Sequence, residues 1–277
     1  MRIATVNVNG IRAAARKGMG EWLTASAPDI LLLQEVRADE QIAVDLLPGY
    51  EAAIWPCRIK GRAGVGVAVR EGGSATLGEL RYGVAAPGTE EPDVDSGRWL
   101  EADLSLTGFD GLERLTVISA YLHSGQLGTE KMDQKYAHLA LVDARMAELL
   151  ESSESGGPQV IMAGDLNVVR SERDIKNWKP NHNKTAGVMD EEIAHLEGWF
   201  ASGWIDVARR LAPGEQGPYT WWSQRGRAFD NNAGWRLDYQ VATPRLAKRA
   251  STFTVDRADS HDTRWSDHAP LVVDYAF

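Results

Sequence analysis

Residues 3–8 alternate apolar with polar, whereas residues 30–33 are apolar without a break. Alternation marks a strand with one wet face; a short unbroken run marks a strand buried on both faces. The same reasoning predicts strands at residues 65–69, 99–106, 115–122, 160–163, 219–222, 238–242 and 271–275. Gly108, Asp110 and Gly111 supply a turn between two of them, and the glycine cluster at 61–66 reads as a tight turn before another. The period then lengthens. Met132, Tyr136, Leu139, Val142, Met146 and Leu149 recur every three or four residues, which predicts an amphipathic helix over 131–150. A second helix is expected at 191–200, closed by Gly203, and a short one around Trp22 and Leu23 ends before Pro28. Strands joined both by turns and by helices imply an α/β fold with mixed sheets. No shift of composition divides the chain, so residues 1–277 are read as one domain.

Several predicted strands carry a polar group at one end. Asn7 lies near the end of the first, Glu35 follows the second, and Tyr121 and His123 close the run before Ser124. Asp165 and Asn167 follow residues 160–163. In two late strands the order reverses, since Asp238 opens one and Asp267-His268 precede the other. If those two strands run opposite to the rest, all six places meet at one rim, where strand ends leave a crevice. Each group alone reads equally as a turn former or a structural pair. Together they suit hydrolysis of a phosphate ester with a divalent cation. Glu35 and Asp267 offer hard oxygens to Mg²⁺ or Mn²⁺. Asp165 can deprotonate water, and amides with an imidazole can donate to phosphate oxygens.

Composition narrows the alternatives. One cysteine, Cys57, excludes an internal disulfide, and six histidines without ligand spacing argue against zinc. No G-x-S-x-G elbow or phosphate-loop motif occurs. No run is long and apolar enough to span a membrane, and the strand-like N-terminus has no apolar signal core, so a reducing cytoplasm is expected. The formal charge of −9 speaks against a surface that grips nucleic acid everywhere. Local basic groups remain: Arg58, Lys60 and Arg62; Lys176 and Lys179; Arg225 and Arg227. Binding through such patches weakens steeply with salt.

The ordered motifs resemble the exonuclease III family of DNA-repair nucleases, the class II apurinic/apyrimidinic endonucleases. They are Val6-Asn7-Val8-Asn9-Gly10-Ile11-Arg12, Leu33-Gln34-Glu35, Tyr121 with Gly125, and Gly164-Asp165-Leu166-Asn167, then Gly234-Trp235-Arg236-Leu237-Asp238-Tyr239 and Ser266-Asp267-His268-Ala269-Pro270. Asp174-Ile175-Lys176-Asn177-Trp178 and Gly203-Trp204-Ile205-Asp206 fit as well, so the resemblance covers nearly the whole chain. It implies a four-layer sandwich, two mixed sheets face to face with helices outside. It implies incision of duplex DNA 5′ to abasic sites and trimming of 3′ ends; the sequence itself carries no oligomeric signal, and a monomer is the default expectation. By the resemblance, Glu35 is the principal metal ligand, with Asn7 and Asp267 around it. Asp165 activates water, Asn167 holds the phosphate, Tyr121 stands at the leaving-group side, and Asp238 orients His268 on the phosphate. Trp221, Trp235 and Leu237 match the pocket for a bare sugar, Arg225 is a candidate DNA contact, and Trp222 is assigned to the core. One departure stands out: His123 lies where many members carry proline, and it is read as loop filling. A phosphoesterase of the same superfamily acting on inositol phosphates or sphingomyelin, or a non-catalytic binding protein on this fold, are the competing readings.

Overall fold

The computed structural model describes residues 1–85, 88–109 and 111–276. Its strands are β1 (Arg2–Asn7), β2 (Ile30–Gln34), β3 (Tyr50–Trp55), β4 (Val65–Arg70), β5 (Ala75–Tyr82) and β6 (Trp99–Leu106), then β7 (Arg114–Tyr121), β8 (Gln159–Asp165), β9 (Ile205–Asp206), β10 (Asp238–Ala242), β11 (Ala250–Val255) and β12 (Leu271–Tyr275). The helices are α1 (Ile11–Arg16), α2 (Met19–Ser26), α3 (Glu40–Asp45), α4 (Glu130–Glu154), α5 (Trp178–Asn181), α6 (Asp190–Ser202), α7 (Val207–Leu211) and α8 (Pro244–Ala247). Two six-stranded sheets result, ordered β11-β12-β1-β2-β4-β3 and β5-β6-β7-β8-β10-β9. The turn between β6 and β7 includes Gly108 and Gly111; Asp110 lies outside the described residues.

The unbroken apolar runs have a direct cause. Ile30 and Leu32 of β2 pack inward against the second sheet, where Val117 and Ile161 meet them, while Leu31 and Leu33 pack outward with Ile11 and Leu23 of α1 and α2. On the other sheet Ile118 and Met162 face outward under Leu139, Val142 and Met146 of α4. Each central strand is therefore buried on both faces, and the layers run helix, sheet, sheet, helix.

Polar links fix how the sheets sit on each other. Gln34 Nε2 donates to Ser119 Oγ at 3.0 Å, and Ser119 Oγ donates to the Leu33 carbonyl at 2.8 Å. Glu35 and Tyr121 follow these residues, so this register brings them to one end of the molecule. The strand directions meet the condition set by the sequence. β1 is parallel to β2, and β7 to β8, while β12 runs antiparallel to β1 and β10 antiparallel to β8.

One predicted strand does not form. Residues 219–222 make only isolated bridges, Trp221 to Trp235 and Trp221 to His268. The N–H groups of Thr220 and Trp221 both go to the Trp235 carbonyl and that of Trp222 to the Asp267 carbonyl, so no ladder repeats.

Candidate active site

The rim is built from strained and crowded backbone. Asn9, Glu35, Arg37 and Asn167, all lining one cleft, have φ of 46°, 50°, 50° and 51°, a left-handed region costly for side-chain-bearing residues. Gly164 has φ 151°, and a Cβ there would lie 1.9 Å from the Ala120 carbonyl oxygen, so only glycine lets β7 and β8 close up beside Tyr121 and Asp165.

A buried network joins the two sheets. Asn7 Nδ2 donates to Glu35 Oε1 at 3.0 Å and to Asp165 Oδ2 at 2.9 Å. The Asn7 amide oxygen accepts from the Asn9 N–H at 3.0 Å, so it is the nitrogen that faces the carboxylates. Asp165 Oδ1 accepts from the Asn167 N–H at 2.9 Å. Asn167 Nδ2 donates to the Leu122 carbonyl at 2.9 Å and to Asp165 Oδ2 at 3.3 Å. His268 Nδ1 pairs with Asp238 Oδ2 at 2.8 Å, and its Nε2 lies 3.7 Å from Asp165 Oδ2. Asp238 itself is directly opposite Asp165 in the β8–β10 register.

Electrostatics divide the roles. Burial pushes the Asp165 carboxyl up to about 7, with His268 pulling it down and Asp238 pushing it further up. Burial works against charge on His268 as well, but Asp238 and Asp165 outweigh it and raise the imidazole to about 10. At neutral pH His268 is therefore a cation with a proton on each nitrogen. Burial first, then the Glu35 and Asp165 charges, hold the Tyr121 phenol well above its ordinary value, so it remains a donor, with Glu35 as its acceptor. Asp267 Oδ1 accepts from Asn9 Nδ2 at 2.8 Å and its Oδ2 from Trp221 Nε1 at 3.1 Å.

These groups open on a cleft of about 760 Å³. Its lining combines polar groups, Glu35, Asp165, Asp267 and His268, with the apolar Trp221, Trp235 and Leu237. Trp221 and Trp235 meet edge to face at 5.7 Å and 82°. Residues 4–268 match the Endonuclease/Exonuclease/phosphatase family. The chain belongs to this family. It is 32% identical to an exodeoxyribonuclease of Bacillus subtilis over 98% of both chains. It is 30% identical to a DNA-(apurinic or apyrimidinic site) endonuclease of Dictyostelium discoideum, over 99% of this chain and 70% of that one. A solved AP endonuclease from Archaeoglobus fulgidus superposes with a TM-score of 0.80 at 25% identity, covering all of both chains. The fold matches the four-layer sandwich implied by the sequence motifs.

The family implies a divalent cation, and the donors present suit one. Glu35 and Asp267 bring hard carboxylate oxygens into the cleft, and Arg37 already places a positive charge on Glu35 Oε2. Asp165, Asp238 and His268 also cluster closely enough to hold an ion, and Asp238 Oδ1 is buried without a hydrogen-bond partner.

Two buried ion clusters hold this family site in shape. Arg236 Nε donates to Asp174 Oδ1 at 2.7 Å, and its Nη1 and Nη2 donate to Asp206 at 3.1 and 2.8 Å. Three motifs separated in sequence thus meet at one guanidinium, and its neighbours Trp235 and Leu237 are fixed in the cleft wall. Buried Lys135 pairs with Glu192 and donates to the Asn167 carbonyl at 2.9 Å. Arg236→Leu is expected to destabilise the protein by about 3 kcal/mol, because it takes the buried guanidinium from two buried carboxylates and leaves Asp174 with Arg209 alone. Asp174 tells the sign of the pH effect: despite burial, Arg236 and Arg209 hold its carboxyl below the ordinary value. Its stabilisation is complete above the unfolded value of about 3.9 and is lost as pH falls through the lower folded value. Chemical denaturation of both proteins at pH 7 and pH 3 checks this; equal midpoints at pH 7 would refute it.

All but one of the residues assigned to the site from the sequence reach the cleft or its network. Arg225 does not: it is exposed, its N–H bonds to Ser223 Oγ, and it lines no part of the cleft. Arg58 is tied to Asp93, while Lys60 and Arg62 line a small groove with Arg12 and Arg37. Trp222 is buried against Phe229, as expected for core. His123 is buried on Asp95 rather than in the cleft. The residues not foreseen are Arg37 and Lys184 in the cleft and the supporting Lys135, Asp174 and Asp206. A lysine on the buried face of α4 is the signal the sequence did carry for Lys135.

Proposed function

We propose that this chain is a metal-dependent hydrolase of DNA phosphodiester bonds that incises duplex DNA 5′ to abasic sites and trims 3′ ends. The observation that supports the reading is the mixed lining of one cleft: Glu35, Asp165, Asp267 and His268 share it with the apolar Trp221, Trp235 and Leu237. An abasic sugar has no base to unstack, so turning it into such a cleft costs less than flipping a whole nucleotide. Asp165, titrating near neutrality, takes the proton of the attacking water. His268, held by Asp238, donates to a non-bridging oxygen as charge builds there. Asn167 holds the Asp165 carboxylate in place, and Tyr121 supplies a phenolic proton on the far side of the phosphorus. Glu35 and Asp267, with Asn7 behind them, would hold Mg²⁺, which supplies Lewis-acid stabilisation of the phosphate. The enzyme acts as a monomer in the cytoplasm, and no helix of the described residues is long and apolar enough to cross a membrane.

The test is one labelled abasic duplex and one blunt duplex, incubated with Mg²⁺ and resolved by product length. Cleavage immediately 5′ to the lesion, leaving a 3′-hydroxyl, is expected. Hydrolysis of a soluble phosphoinositide with both duplexes intact would reject the reading. Chelation with EDTA should abolish cleavage and added Mg²⁺ restore it; full activity in EDTA would remove the metal from the proposal.

A further inference from the structure

A second cluster of buried polar groups lies behind Tyr121, outside the cleft. His123 Nε2 and Asp95 Oδ1 are 2.6 Å apart, with exposures of 6% and 7%. His138 of α4, 1% exposed and with both ring nitrogens unpartnered, packs edge-on against the His123 ring at 5.2 Å. Such an arrangement is costly unless it holds something in place.

What it holds is the segment that leads into β6. Asp95 lies beside Val94, whose carbonyl accepts from Arg98 Nε at 2.7 Å. The Arg98 guanidinium sits 4.9 Å from the centre of the Tyr121 ring and donates to the Tyr121 carbonyl at 3.4 Å. The Tyr121 N–H in turn donates to the Arg98 carbonyl at 2.8 Å. Gly97, φ 68°, lets this segment press on the Cys57 backbone, where a Cβ would come within 2.6 Å. The link thus runs from His123 to Asp95, along the backbone to the Val94 carbonyl, from there to Arg98, and on to the ring of Tyr121.

We infer that the buried Asp95–His123 pair is a positioning device for Tyr121, acting through Arg98. The inference rests on the reading in which Tyr121 works beside the scissile phosphate. The Arg98 guanidinium over one face of the ring restricts how the ring can turn. If the pair slackens, the aim of the phenol suffers. The groups facing His123 are Asp95 and Arg98 from the segment before β6, and His138 and Lys135 from α4; burial keeps the imidazole below its ordinary value. At neutral pH it is therefore a neutral ring donating its Nε2 proton to the Asp95 carboxylate.

The test is steady-state kinetics on the abasic duplex. D95L/H123L removes both partners and leaves no lone buried charge, so it is the variant suited to fold. It should lower kcat on the order of tenfold with KM within about twofold of wild type. H123Q, which keeps a donor at the position of Nε2, should retain most of the wild-type kcat. In a Y121F background D95L/H123L should cost nothing further, because the residue being positioned has lost its hydroxyl. A wild-type kcat for D95L/H123L, or an equal loss in the Y121F background, would overturn the inference. Should that variant not fold, H123N, too short to reach Asp95, takes its place with the same expected loss. If the wild type leaves the abasic duplex intact, the reading above fails by itself, and the same variants are compared on 3′ trimming of the blunt duplex.

Discussion

Asp165→Asn lowers kcat on an abasic duplex by about 10³-fold and leaves DNA affinity within a factor of about three. The reason is the position of this one carboxylate. It is buried to 1% exposure, it titrates near 7, and it is the group within reach of both sheets' polar residues. An amide of the same shape cannot take a proton from water. It also meets a conflict, because Asp165 Oδ2 accepts from Asn7 Nδ2 and Oδ1 from the Asn167 N–H, so an NH₂ on either side faces a donor. The disturbance stays local, since Gly164 and the β8–β10 register hold the backbone. Single-turnover cleavage and a binding titration in parallel separate the two effects. A variant that turns over at the wild-type rate would show that another group accepts the proton.

How much of this could be read beforehand depends on what each residue has to do. The central strands announced themselves because both faces are apolar, as at residues 30–33 and 160–163. The edges did not. β5 and β11 are largely exposed, so their outward positions carry no hydrophobic demand and the alternation is lost. The helices α1, α3, α7 and α8 are too short for a period to emerge. At the site, the candidate residues were legible only as a set, polar groups recurring at strand ends within the ordered motifs, since each alone reads as well as a turn former. The supporting ion clusters were not, because Asp174, Asp206 and Arg236 look like ordinary surface charges until the fold buries them together. Arg225 lies exposed outside the cleft, because a basic residue near a site motif need not turn towards it. His123, read as loop filling, is indeed absent from the cleft, yet its bond to Asp95 gives it a partner that no spacing reveals.

His268→Ala costs about 3 kcal/mol of transition-state stabilisation, roughly a hundredfold in rate, as for loss of one donor to a developing oxyanion. Two consequences of the removal can be told apart. The phosphate loses a donor, which lowers the rate at every pH. Asp165 loses the cation that was drawing its carboxyl down, so its value moves further above 7. Since the carboxylate form is the active one, the acid limb of the rate profile shifts to higher pH in the variant, while the wild type already reaches its plateau. In the wild type, loss of the imidazolium begins only as pH approaches about 10. Asp238→Asn should shift the acid limb the other way, to lower pH, because the Asp238 charge was itself pushing the Asp165 carboxyl up. It removes the carboxylate that orients His268 Nδ1 and keeps the ring charged, but it leaves the ring in place. A pH–rate series from 6 to 10 on all three proteins is the measurement, with thermal unfolding alongside because His268→Ala strands Asp238 at 0% exposure. A His268→Ala rate within about twofold of wild type across that series would exclude the imidazole from the chemistry. A hundredfold loss with an unmoved acid limb would keep it as a phosphate donor and break its coupling to Asp165.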